Sequence, residues 1–204
     1  MRTPPWLVKA VTEATLIVFA VLLALAVDAW WEDRESARLA ERTTHAIAGE
    51  IRRNRDQLAA RTSAAGPAAD LAVLDSALAA YRADREPPPM AVNWNVTLLS
   101  SAAWETAQIN GITPFMELDQ VVELAEVYEL QRFFSRNQDE LASLISDVGA
   151  RIESEPVLTL TQLRSRLALM IALRQTLSTV YACTLVGLEV ADEAEASACP
   201  DEAG

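Results

Sequence analysis

The sequence predicts an all-α protein in which one N-terminal transmembrane helix continues into a long stalk helix, followed by an antiparallel helical bundle. Three observations predict it. Residues 14–27 run for fourteen positions without a charge, and Thr15 is their one polar side chain. Residues 31–63 then continue without a proline. Nowhere does a run of alternating apolar residues, bounded by hairpin turns, announce strands. The 204 residues suffice for one domain plus an anchor.

The apolar run alone spans roughly 21 Å, short of the ~30 Å hydrocarbon core of a bilayer. Extension through Ala29, Trp30 and Trp31 brings it to roughly 27 Å, which suffices with snorkelling at the ends. Trp30 and Trp31 then form the interface belt, with Trp6 at the opposite side. Asp28 near one end and Glu13 at the other read as interfacial carboxylates. A cleavable signal peptide competes, with Arg2 and Lys9 as its basic region and Ala24-Leu25-Ala26 or Val27-Asp28-Ala29 as a cleavage site. The retained anchor is preferred because Glu13 abuts the run, the run is long, and two tryptophans follow. Ala20 and Ala24 have small-xxx-small spacing, which chance also supplies in so alanine-rich a chain. Arg2 and Lys9 on one side balance Arg34, Arg38 and Arg42 on the other, so flanking charge does not decide orientation. The reading adopted keeps the N-terminus inside and the domain outside the cytoplasm.

Beyond the anchor (residues 1–31) comes a juxtamembrane stalk helix (32–62). Ala40, Thr44, Ile47, Ile51, Asn54 and Leu58 alternate at spacings of four and three. Such a stripe serves either a dimeric coiled coil, with Asn54 setting the register, or packing onto the chain's own later helices, the preferred reading. The bundle domain (63–190) opens after Gly66-Pro67. A second helix is expected over 68–84, stopped by Glu86-Pro87-Pro88-Pro89, and a third over 95–109, capped by Asn95 and ended by Asn110-Gly111. Thr113-Pro114 reads as the start of a fourth helix, from Phe115 to about 153, with room for a kink at 135–138. After Pro156 a last helix, 157–190, is apolar over most of its girth and marks the centre of the bundle. Arg174 interrupts its apolar stretch and argues against a second span. The tail (191–204) carries five acids and no base, and is expected to be disordered.

The net charge is −12. Arg2, Lys9, Glu13 and Asp28 cancel within the anchor, so the whole excess lies beyond it. Nucleic-acid binding needs clustered cations and is excluded as an expectation. His45, the single histidine, lies one turn from Glu41 and reads as part of a solvated face. No Gly-x-Ser-x-Gly, phosphate loop, paired Glu-x-x-His or Cys/His metal spacing occurs. No catalytic residue, metal or cofactor is therefore assigned, and the chain is not expected to be an enzyme. Arg174 falls on the row Leu163, Leu167, Met170, Arg174, Leu177, Tyr181. There it either meets a carboxylate or an anionic ligand, or snorkels at the rim. Trp94, Trp104 and Tyr128 are the aromatic candidates for a pocket beside it, or for core. Cys183 and Cys199 either bridge in an oxidising compartment or stay as one buried and one loose thiol, the latter being preferred.

Around Glu13, Leu16-Ile17-Val18, Leu22-Leu23-Ala24-Leu25, Trp30, Glu32 and Arg34 the chain resembles a widespread family of bacterial single-pass membrane proteins without an assigned function. The likeness continues loosely through Glu50-Ile51, Trp104, Gly111 and Tyr128. Ala20 replaces a common glycine, and Asp28-Ala29 a common asparagine pair. The resemblance implies an anchored helical domain in the bacterial inner membrane and carries over no activity. The functional expectation is thus a membrane-anchored, non-catalytic interaction protein. Its partners would be the lipid bilayer and another membrane protein or a second copy. The alternatives are a tethered ligand-sensing bundle built on Arg174, Trp104 and Tyr128, or an enzyme without recognisable motifs.

Overall fold

The computed structural model describes residues 5–60, 67–90 and 96–199. Six α-helices follow one another: α1 (Pro5–Ala60), α2 (Pro67–Arg82), α3 (Ala102–Ile109), α4 (Leu118–Ser154), α5 (Pro156–Gly187) and α6 (Glu193–Ala198). A 3-10 turn at Thr113–Phe115 precedes α4. No strand occurs among the described residues. Gly66, Trp94 and Asn95, and the side chain of Trp6, lie outside them.

Prolines open α2 and α5, where the missing N–H has no intrahelical partner to lose. The C-termini of α2, α3 and α5 share one device, a left-handed residue one step past the cap. It is Asp84 at φ 52°, Gly111 at φ 65° and Glu189 at φ 56°. After each, the next N–H reaches back to a carbonyl of the last turn: Arg85 to Ala80 at 2.9 Å, Ile112 to Ala107 at 3.0 Å and Val190 to Leu185 at 3.1 Å. These are Schellman turns, which satisfy carbonyls that the helix itself leaves open. Asn110-Gly111 thus ends α3 where its residue types predict.

α4 and α5 are antiparallel, since contacts pair Gln131 with Tyr181, Asn137 with Arg166 and Arg151 with Gln162. α1 runs parallel to α4, with Glu50 beside Tyr128 and Asn54 beside Gln131. The bundle has two storeys. In the lower storey, toward the bare half of α1, α1 packs against α5 and α3, and α3 meets α4 through Trp104 and Tyr128; past the end of α1, α2 takes over its place on α5. The core runs through both, from Ile47 and Ile51 through Leu124, Phe134 and Tyr181 to Leu74, Leu141 and Leu160.

Ala40, Ile47, Ile51, Asn54 and Leu58 are buried within the chain itself. The stalk stripe therefore packs on the chain's own later helices. α1 and α5 are both long and apolar enough to cross a membrane, but a third of the apolar window of α5 is already buried inside the bundle. In α1 no part of that window is covered.

The helix ends shift by one to three residues at α2 and α5, and the structure departs further from the sequence reading at α3, α4 and the tail. α3 begins at Ala102 rather than 95, because residues 97 and 100 are held by side chains from α1 and α4 as described below. α4 begins at Leu118, since Met116 is extended (φ −92°, ψ 160°) and packs against the core. It then runs without interruption through 135–138. Within the tail, expected to be disordered, residues 191–199 are folded, and residues 200–204 lie outside the described ones. Asp192 and Glu195 form a capping box, the Asp192 side chain accepting from the Glu195 N–H at 2.8 Å and the Glu195 carboxylate from the Asp192 N–H at 2.9 Å.

Candidate functional site

One turn of α1 places Glu50 and Asn54 on the inward face, and both are buried. Opposite them α4 supplies Tyr128 and Gln131, and α5 supplies Tyr181. Beside them passes the irregular segment 96–101, in which the backbone groups of Thr97 and Ser100 find side-chain partners instead of a helix or sheet. Asn54 Oδ1 accepts from the Ser100 N–H at 2.9 Å, and its Nδ2 donates to the Ser100 carbonyl at 2.8 Å. Gln138 does the same for Thr97, accepting at 2.8 Å and donating at 3.1 Å. Each amide thus imitates one rung of a β-ladder, and at Thr97, which is buried, it satisfies backbone groups that would otherwise be orphaned.

The Glu50 carboxylate, 1% exposed, accepts three hydrogen bonds. They come from the Ser100 hydroxyl at 2.6 Å, the Ala103 N–H at 3.0 Å and the Tyr128 hydroxyl at 2.7 Å. Because Ala103 lies in the first turn of α3, Glu50 caps that helix from a different one, and the helix dipole favours its charge. Ser101, the local cap residue, makes no side-chain capping bond. Tyr128 stacks on Trp104 with centroids 5.6 Å apart and planes 4° from parallel. Burial, and after it the bond to Glu50, pushes the Tyr128 phenol far above its ordinary range. Burial likewise raises Tyr181, whose hydroxyl donates to Gln131 Oε1 at 2.6 Å. The carboxylate and amides of this cluster are spent on the chain's own donors and acceptors. Chemically it is a clasp.

Trp104 and Tyr128 therefore meet, but Arg174 is not with them. Its guanidinium donates to the Leu58 carbonyl and to Thr97 Oγ1, both at 3.3 Å. Thr97 is bound to Gln138, ten residues and so roughly 15 Å along α4 from Tyr128. Arg174 sits at the seam between the storeys and supplies a donor to the last turn of α1, where carbonyls lack helical partners and the dipole is negative. Its half-buried position lowers its pKa through loss of hydration, yet guanidinium stays charged.

The expected interface residues lie on the bare part of α1. Glu13, Asp28, Trp30 and Trp31 are exposed. The two indole rings lie 6.1 Å apart, and the Arg34 guanidinium sits 5.6 Å above the Trp30 ring, a cation–π contact. His45 and Glu41 are exposed on the same helix. Among the described residues, no group of three or more His, Cys, Asp or Glu could hold a metal ion.

Cys183 and Cys199 are bridged, their Cα atoms 4.8 Å apart. The preferred expectation of free thiols is thus corrected, because α6 folds back along α5 and brings the two sulfurs together. Glu195 anchors the same segment. It is fully buried and meets Arg52 Nε at 3.1 Å and Arg55 Nη1 at 3.2 Å, while Arg52 also donates to the Val190 carbonyl. Sequence reasoning missed Glu50 and Glu195. Each had a signal: Glu50 follows Ile47 by one turn on the inward stripe, and Asp192-x-x-Glu195 is a capping-box pattern.

At the far end of the bundle, Leu74, Met90, Ile145, Ile152 and Leu163 line an apolar cavity of about 240 Å³. No protein-family model, curated protein or solved structure matches the chain.

Proposed function

We propose that the chain is a single-pass protein of a bacterial inner membrane, with its bundle on the periplasmic side, that acts as a non-catalytic accessory subunit or scaffold. Its partners are the lipid bilayer and another membrane protein or a second copy of itself. One observation carries this reading: the apolar belt of α1 is bare on every side, and the same helix runs unbroken into the bundle core. Leu16, Ile17, Phe19, Leu22, Leu25 and Val27 are each more than half exposed. A contiguous patch of this size, all round a helix, fits a lipid environment and not water.

The Trp30–Trp31 pair and the Arg34 contact suit a headgroup layer. The Cys183–Cys199 bridge supports an oxidising compartment for the bundle, and the anchor's resemblance to bacterial single-pass proteins supports the same location. Glu50 and Glu195, the buried carboxylates, are engaged by the chain's own donors, which favours a structural use over acid–base chemistry.

The test is purification of tagged full-length protein from its native membranes in mild detergent, with every stoichiometric companion identified. A constant partner is the expected result, and its activity then becomes the functional question. Recovery as a lone monomer would refute the docking role and turn attention to ligand binding by the bundle.

A further inference from the structure

The end of the bundle nearest the anchor is apolar and uncovered. It is formed by the C-terminus of α3, the 3-10 turn and the first turns of α4. Ile109 is 83% exposed, Leu118 74%, Phe115 53% and Val122 50%. Leu118 and Val122 lie in the opening turns of α4, where Cα–Cβ bonds tilt toward the helix N-terminus and so toward the anchor.

The height of this tip above the membrane follows from α1. Leu118 lies ten residues before Tyr128, which bonds Glu50 of the parallel α1, and Ile112 lines a groove with Leu39, Arg42, Thr43 and Ala46, so the tip lies about level with residues 39–40. That is eight or nine residues beyond Trp31, or roughly 12–14 Å along the helix. The headgroup layer is about 5–8 Å deep on each side of the hydrocarbon. A helix axis tilted by about 20° lowers a neighbour about 10 Å away by a further ~3 Å. Tryptophans that sit within the headgroup layer, as they commonly do, bring the tip closer still. The remaining gap is the reach of the exposed side chains.

From this we propose that the apolar tip rests on the membrane surface, with Phe115, Leu118 and Val122 inserted among the lipid headgroups, so that the bundle is seated on the bilayer and does not stand free on a stalk. This rests on the reading of α1 as a membrane span. The occupant is lipid because the anchor holds this end, and only this end, of the bundle at the bilayer. Glu117 and Asp119 flank the tip and are exposed, so an uncharged, zwitterionic surface suits it better than an anionic one.

The experiment uses full-length protein in phosphatidylcholine vesicles with the Cys183–Cys199 bridge left oxidised. Single spin labels are placed at Leu118→Cys, at Leu22→Cys in the anchor and at Leu98→Cys, which is 74% exposed high on the bundle. Each is read by collision with oxygen, which concentrates in lipid, and with a nickel chelate, which stays in water. The expected result is lipid-type accessibility at 22, intermediate interfacial accessibility at 118 and aqueous accessibility at 98. Lipid-type accessibility at 22 with fully aqueous accessibility at 118 overturns the seating while leaving the anchor intact. A label at 118 shielded from both reagents means that protein covers the tip, and also overturns it. Aqueous accessibility at 22 removes the anchor reading and the seating together.

Discussion

Replacing Glu50 by alanine tests whether the clasp holds the bundle together. The substitution strands three donors that now reach its carboxylate: the Ser100 hydroxyl, the Ala103 N–H and the Tyr128 hydroxyl. The Ser100 hydroxyl can turn elsewhere, so the chief losses are the other two. Hydrogen bonds to a charged group contribute about 1.5–3 kcal/mol each. Loss of the charge at the α3 N-terminus adds about 0.3–1 kcal/mol. The expected destabilisation is therefore about 3–7 kcal/mol, a large part of a typical domain's stability. Urea unfolding of the detergent-solubilised full chain, followed by far-ultraviolet circular dichroism, measures it, and near-ultraviolet dichroism of the Trp104–Tyr128 stack reports the site itself. Tyr128→Phe alone removes one of the two main bonds, and the double variant should cost less than the sum by about 1–2 kcal/mol. A loss below about 1 kcal/mol for Glu50→Ala, within the range of ordinary surface changes, or strict additivity with Tyr128→Phe, would refute the reasoning.

Four further outcomes are expected. Tyr128 and Tyr181 are both raised by burial, so the unfolded chain ionises first; the stability they contribute is whole below pH ~10 and falls above it. In a Tyr81→Phe background, tyrosinate absorbance should appear only as helical dichroism is lost, and its appearance at pH ~10 with the helices intact would contradict this. Breaking the Cys183–Cys199 bridge, which closes a sequence separation of 16, should cost roughly 3 kcal/mol and expose α6 to proteolysis; an unchanged digestion pattern would mean that Glu195 alone suffices to hold it. Glu189→Gly relieves a left-handed glutamate at φ 56° and should raise stability by about 0.5–1 kcal/mol, whereas Gly111→Ala at φ 65° should lower it by about 1–2 kcal/mol; equal effects in urea titrations would count against the Schellman assignment. Protease added outside intact spheroplasts should digest the bundle and spare the anchor, and full protection would reverse the proposed orientation.

The helices were legible where periodicity and punctuation agree. The stalk stripe, Asn110-Gly111 and Pro156 each mark a local physical demand, and the structure meets it in place. What was not legible depends on pairing across the chain. Residues 96–101 have no propensity that dictates their irregular path; Asn54 and Gln138 pin it from other helices, and nothing local announces that two amides will serve as ladder rungs. Arg174 interrupts an apolar row, but it meets neither the expected carboxylate nor open solvent at the rim. Its partners, a helix-terminal carbonyl and a threonine, could not be named without knowing where α1 ends relative to α5. The acidic tail misled for a related reason. Its composition suits disorder, but one carboxylate finds Arg52 and Arg55, and one thiol finds Cys183.

α1 is a single 56-residue helix, about 84 Å long, with no proline after its first residue. Its continuity gives the protein a fixed azimuth. Each helical residue turns the chain by about 100°, so, with α1 as the proposed membrane span, the face that the bundle offers to neighbours is tied to the face that the span offers to neighbours in the lipid. An insertion of seven residues between Trp31 and Ala40 would nearly restore that phase while lifting the bundle by roughly 10 Å; an insertion of two would turn it most of the way to the opposite side and lift it by only about 3 Å. Height and bearing are thus separately adjustable properties of one rod. A partner that grips both the anchor and the bundle has to match the two at once.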